Sequence, residues 1–219
     1  MNEQFTTKNL ESLTENQQRL VNGIFEIQGI IFGNFKLHSG KDSPYYCDVK
    51  YLIEFPEFKK LAVQEYYQLL SPLRFEFDLI APIPDGATSI SSSIADSLDV
   101  GSIVPRLRSK SYGLKSPIIG LPEAYRNKNI ALIDDVITEG DSAIEIIEFF
   151  TSNNLTVNNL AILVDRQEGG IKKIEKKTEV KVHSVFTISQ LIDYGYRTEK
   201  LSEENYRRFK NYLTSQKTI

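Results

Sequence analysis

The stretch IALIDDVITEGDSA, residues 130–143, carries an apolar run into two adjacent carboxylates, Asp134 and Asp135, and then into a turn holding Thr138, Glu139, Gly140, Asp141 and Ser142. Packing gives no reason to finish a strand in this way. A strand ending at Ile133, followed by a polar turn just ahead of a helix, presents hydroxyls and unpaired backbone N–H groups, which together make an anion cradle. Carboxylates in front of that cradle accept hydrogen bonds from vicinal hydroxyls and favour positive charge developing nearby. The combination fits a ribose 5-phosphate. The plainer account has Asp141 capping the helix and the two aspartates solvating a loop. Two common nucleotide motifs are absent: no Walker lysine follows the glycine, and the chain contains no GxGxxG fingerprint.

The same stretch resembles the phosphoribosyl pyrophosphate (PRPP) motif of type I phosphoribosyltransferases. That resemblance implies Asp134 and Asp135 as ribose-hydroxyl carboxylates, with Val136, Ile137, Thr138, Glu139, Gly140, Asp141 and Ser142 around the 5-phosphate. Two further stretches, FGNFKLHSGKDSPYYCDVK at 32–50 and DRQEGG at 165–170, are similar to motifs of the orotate phosphoribosyltransferases. The likeness runs over roughly residues 20–190 and lies nearer to the transferase portion of animal uridine monophosphate synthases than to short bacterial forms. Orotate is a planar pyrimidine bearing a carboxylate, so it calls for an aromatic wall and a fork of donors. The resemblance assigns the orotate side to Tyr46, Cys47, Thr138 and Arg166. Tyr46 can supply the wall and the Arg166 guanidinium can meet a carboxylate or ring carbonyl.

A third segment, PRLRSKSYGLKSP at 105–117, has four cations and no acid, which suits either a mobile lid over a polyphosphate or a solvated basic loop. It resembles the family's catalytic loop, which closes over the neighbouring subunit's site, and so implies a homodimer. Arg106, Lys110 and Tyr112 fall on its PRPP-contacting positions. The expected catalytic set is Asp134, Asp135 and Lys110, with Mg2+ held mainly by PRPP and water and no metal cage of protein ligands. The chain departs from the pattern at three PRPP positions, where His38, Leu107 and Asp85 stand in place of the usual lysines. Two readings follow: transfer of phosphoribose from PRPP to orotate, and a weakened regulator that binds PRPP or a nucleotide on the same fold.

The bulk numbers agree with small-molecule chemistry. A net charge of −3, with 41% hydrophobic and 25% charged residues, is ordinary for a globular protein and gives no whole-chain attraction to nucleic acid or anionic membrane. One cysteine, Cys47, cannot form an intrachain disulfide, and no apolar run approaches a membrane span, so a cytoplasmic location is expected.

Strands and helices must position these groups. Thr14 and Gln17 have capping-box spacing ahead of a helix over about 14–28, and Gly33-Asn34 suits a two-residue hairpin, with SPYYCDVKYL continuing as extended chain. A helix is expected from Pro56, a Ser-rich helix in ATSISSSIADSL, a helix in SAIEIIEFF, and a closing helix over 202–213. FDLIAP, GSIVP, NIALID, LAILVD and VKVHSVFT read as strands. Such alternation predicts an α/β fold: a mostly parallel sheet flanked by helices, of the type I phosphoribosyltransferase kind, with ligands beyond the carboxyl ends of the strands. The economical count is one domain over 1–219, with a helix-and-strand hood to about residue 55 and a core beyond it.

Overall fold

A computed structural model describes residues 13–36, 40–106, 117–121 and 127–216. Helix α1 (Glu15–Glu26) opens with the expected capping box: the Thr14 hydroxyl accepts from the Gln17 N–H, and the Gln17 side chain accepts from the Thr14 N–H. Strands β1 (Ile30–Lys36) and β2 (Asp42–Cys47) then pair antiparallel. The reversal lies beyond Lys36, so Gly33-Asn34 is not the hairpin turn; it sits where the register slips between Phe32 and Phe35. An extra residue of this kind bends a strand without ending it. After β2 the chain leaves the extended form for a 3-10 turn at Lys50–Glu54.

Helix α2 (Pro56–Leu70) begins with proline at its first turn, where the missing N–H costs nothing. The core follows: β3 (Leu79–Pro82), α3 (Thr88–Leu98), β4 (Gly101–Ser102), β5 (Val104–Pro105), β6 (Ile118–Ile119), β7 (Asn129–Ile137), α4 (Asp141–Ser152), β8 (Thr156–Asp165), α5 (Gly170–Thr178), β9 (Lys181–Thr187), α6 (Ile188–Arg197) and α7 (Glu203–Gln216). Five strands form one parallel sheet in the order β4-β3-β7-β8-β9. The expected GSIVP strand is split, because Ile103 separates β4 in the main sheet from β5, which pairs antiparallel with β6. Helices α5 and α6 have no counterpart in the sequence reading.

Alternate strand residues enter opposite apolar layers, as a pleated strand requires. Ala131 and Ile133 join Ile80, Leu20, Tyr66 and Phe209 on one side. Ile130 and Leu132 join Ile146, Phe150, Leu160 and Ile174 on the other. The sheet is therefore covered on both faces, which is why its central strands read as nearly continuous apolar runs.

The strand order also places the site. From β3 the chain steps outward to β4, then crosses back to β7 on the other side of β3. The loops after β3 and β7 consequently diverge, and the crevice between them is where open α/β sheets receive ligands.

Candidate active site

The pairing of β3 with β7 stops at Pro82 opposite Ile133, with one more bond from the Ile83 N–H to the Ile133 carbonyl at 2.8 Å. β7 continues to Ile137, paired along that stretch with β8 on its other edge. The strand thus does not end at Ile133. Asp134 and Asp135 lie on the stretch that β3 no longer covers, and that uncovered edge opens into a cleft of about 550 Å³.

The cleft gathers most of the described residues singled out from sequence. Asp85, the run from Asp134 to Ser142, Tyr46, Cys47 and Arg166 all line it. The Ile137 side chain is itself buried in the apolar core. Arg106 follows β5, with its N–H bonded to the Pro117 carbonyl at 2.8 Å, and is not among the lining residues. His38, Leu107, Lys110 and Tyr112, with Arg108 and Lys115, fall outside the described residues. Lys36, Asp48, Lys50 and Gly86 also line the cleft, although sequence reasoning did not single them out. Their only signal was membership of the motifs at 32–50 and around Asp85.

Burial governs the acid pair. Asp134 is 9% exposed, its Oδ1 accepts the Asp135 N–H at 2.9 Å, and the Tyr66 hydroxyl donates to its carbonyl. Asp135 in turn accepts the Val136 N–H at 2.9 Å. Loss of solvent pushes the Asp134 carboxyl well above its ordinary range, and the charge of Asp135 adds to the shift. The Asp135 carboxyl is also raised, chiefly by burial, with nearby Lys50 working against the rise. Gly86 comes so close to Asp135 that a Cβ there would sit 2.6 Å from its carboxylate oxygens. Only glycine admits that approach.

The turn after β7 is braced from behind. Gly140 has φ +80 and caps α4, and the first residues of that helix, Asp141 to Ala143, line the cleft, where a helix start can receive an anion. The Gly170 N–H donates to the Thr138 carbonyl at 3.0 Å, and a Cβ on Gly170 would lie 2.3 Å from that oxygen. The second glycine of DRQEGG therefore exists to let α5 start against the turn. Asp141 is paired with Lys173 of α5 at 2.6 Å, which offsets its charge at the helix start. A second bridge, Lys41 to Glu139 at 2.6 Å, ties the chain just ahead of β2 to the same turn.

On the opposite wall, Tyr46 is 40% exposed and packs against Phe35 with ring centroids 5.6 Å apart. Cys47 is buried, and burial pushes its thiol up to about 12, so at neutral pH it is a wall and not a nucleophile. Arg166 is 2% exposed and ion-paired with Glu168 at 2.9 Å. Lys50 lies 3.7 Å from Asp48; burial opposes its charge, but Asp48 and Asp135 outweigh that effect and raise its pKa.

Comparison with known proteins adds a lineage to this geometry. Residues 54–197 match the model of the phosphoribosyl transferase domain. The chain is 30% identical over 194 residues to an orotate phosphoribosyltransferase of Pyrobaculum islandicum, covering 89% of this chain and 97% of that protein. It is 27% identical over 194 residues to the uridine 5'-monophosphate synthase of Bos taurus, covering 89% of this chain and 40% of the bovine protein's length. A solved uridine monophosphate synthase of Leishmania donovani superposes with a TM-score of 0.81 at 27% identity, over 90% of this chain and 42% of that one. The orotate phosphoribosyltransferase of Aeropyrum pernix shares the fold, with a TM-score of 0.69 at 24% identity over 80% of this chain and 96% of that one.

Proposed function

The chain belongs to the phosphoribosyl transferase family, and from that premise we propose that it transfers the phosphoribosyl group of PRPP to orotate, forming orotidine 5'-monophosphate and pyrophosphate. The observation that carries this reading is the convergence of three walls on one cleft: the acid pair, the turn ahead of α4, and the Tyr46–Arg166 side. Each meets one part of the chemistry.

The 5-phosphate is held by the N–H groups and hydroxyls from Thr138 to Ser142. Asp134 and Asp135 accept the ribose hydroxyls and stabilise the positive charge that grows on the ribose as pyrophosphate leaves C1. Tyr46 stacks on the pyrimidine, whose N1 attacks C1 from the face opposite the pyrophosphate and gives up its proton to the departing pyrophosphate, and Arg166 meets its anionic edge. Lys110 and Arg106, from a loop shared across a homodimer in the cytoplasm, are assigned with His38, on the family resemblance, to the departing pyrophosphate.

Mg2+ fits as an ion carried in by its substrate. Among the described residues no group of three His, Cys, Asp or Glu is placed to hold an ion, so Mg2+ would be held mainly by the diphosphate, the ribose hydroxyls and water beside the acidic lining of the cleft. Bound there, the ion supplies charge neutralisation to the diphosphate.

One observation favours the second reading, a PRPP- or nucleotide-binding regulator. The charged residues of the described lining are mostly acidic, with Asp48, Asp85, Asp134, Asp135, Glu139 and Asp141 set against Lys36, Lys50 and Arg166. Following orotate absorbance during incubation with PRPP and Mg2+ separates the two. Steady loss that needs every component supports transfer; PRPP binding without loss supports the regulator.

A further inference from the structure

Arg166 does not reach the cleft as a free surface arginine. Its Nε donates to the Tyr45 hydroxyl at 3.2 Å and its Nη2 to the Ser43 hydroxyl at 3.2 Å, while the same Nη2 pairs with Glu168 Oε1 at 2.9 Å. The guanidinium carbon also sits 4.5 Å from the centroid of the Tyr45 ring. Among the described residues the Arg166 Nη1 meets no hydrogen-bond acceptor, which leaves that edge for a ligand.

Two of these holders, Glu168 and Tyr45, are held in turn by α7. The Tyr212 hydroxyl donates to Glu168 Oε1 at 3.2 Å. Tyr45 is gripped edge-on by Phe209, with centroids 5.6 Å apart, and by Tyr212, with centroids 5.9 Å apart. A cation clamped on two sides by a buried carboxylate and an aromatic face has one orientation, and direction is what separates recognition of a planar carboxylate from attraction to any anion.

We propose that Tyr212 and Glu168 are positioning residues for Arg166, so that the C-terminal helix α7 sets the selectivity of the cleft for a planar base bearing a carboxylate. The inference deepens the transferase reading and rests on it. Tyr212 lies far along the chain from every motif that marked the site, and only the packing of α7 against β2 brings it there.

The test is steady-state kinetics of Tyr212→Phe, with orotate and with uracil, which lacks the carboxylate. Removing the hydroxyl keeps the ring contacts, so the fold is retained. The KM for orotate rises about 5- to 30-fold, the range for one lost buried hydrogen bond to a charged network. Both kcat and the KM for PRPP stay within about 2-fold, the size of a change not resolved from zero on the energy scale of a single contact, and the preference for orotate over uracil falls. Glu168→Gln keeps an acceptor but removes the charge, and moves the same constants in the same direction.

Equal changes in the PRPP and orotate constants, or a fall in kcat alone, would overturn the positioning role, as would variants indistinguishable from the parent. A parent that turns over PRPP with orotate while the variants behave like it removes the inference and leaves the transferase reading standing. A parent that neither consumes nor binds orotate removes both.

Discussion

Asp134 and Asp135 are placed for chemistry at the expense of stability. Their folded-state pKa values lie above the ordinary 3.8 because burial disfavours both charges. The folded chain therefore holds protons that the unfolded chain has released, and this pair's contribution to stability declines as pH rises from 3.8 through the raised values. Asp134→Asn keeps the acceptor for the Asp135 N–H and removes the buried charge. Its melting temperature should exceed the parent's at pH 8, and the gap should close toward pH 4, while transfer falls by about 10²-fold, the usual scale for losing one preorganised electrostatic contact. A lower melting temperature at pH 8 would contradict the account. The same shifts place the acid limb of kcat/KM above the ordinary carboxylate range, in a pH–rate profile that reports the coupled pair. Lys50 offers a cation beside the acid pair in a cleft where Asp85 takes a position usual for lysine. Lys50→Ala should raise the KM for PRPP about 10-fold, the low end for a hydrogen bond to a charged group, and Lys50→Arg should restore most of it.

At the scale of elements, the start of α5 forms the back of the turn between β7 and α4. Two neighbouring glycines separate conformational cost from steric cost. Gly169 has φ +91 and open space where a Cβ would go, so Gly169→Ala strains only its own backbone, by about 1–2 kcal/mol. Gly170 has no room: a Cβ there meets the Thr138 carbonyl at 2.3 Å. Gly170→Ala should therefore cost about 1–3 kcal/mol, the range for overpacking, and also push the turn out of place. Titration with PRPP distinguishes the pair, since only Gly170→Ala should weaken binding strongly. Equal affinities in both variants would mean that α5 does not brace the turn.

Across the whole molecule, the cleft is assembled from segments distant in sequence: β2 and the 3-10 turn after it, the loop after β3, the turn after β7, and the end of β8. The Lys41–Glu139 bridge and the Tyr45–Arg166 bond tie the N-terminal segment to the sheet. A ligand that spans these segments binds only the folded chain. At 100 times its dissociation constant it stabilises by about 2.7 kcal/mol, or about 5–11 °C in melting temperature for a chain of this size. PRPP with Mg2+ should produce such a shift, and its absence would argue that the cleft does not take the sugar diphosphate.

The chemistry-bearing residues and the layered α/β plan were written locally: an acid pair at the end of an apolar run, a polar turn ahead of a helix, and strands buried on both faces. Capping at Thr14 and proline at the start of α2 are likewise short-range signals, and both elements form as expected. Three things depended on contacts far apart in sequence. The register of β1 against β2 moved the turn past Gly33-Asn34, because pairing along a whole strand outweighs a local turn preference. The early end of β3 left the acid pair uncovered on a strand that itself continues to Ile137. The docking of α7 turned Arg166 from a residue type into a directed donor, since an arginine's direction is set by what is packed around it and only the folded chain brings Tyr45, Glu168 and Tyr212 together.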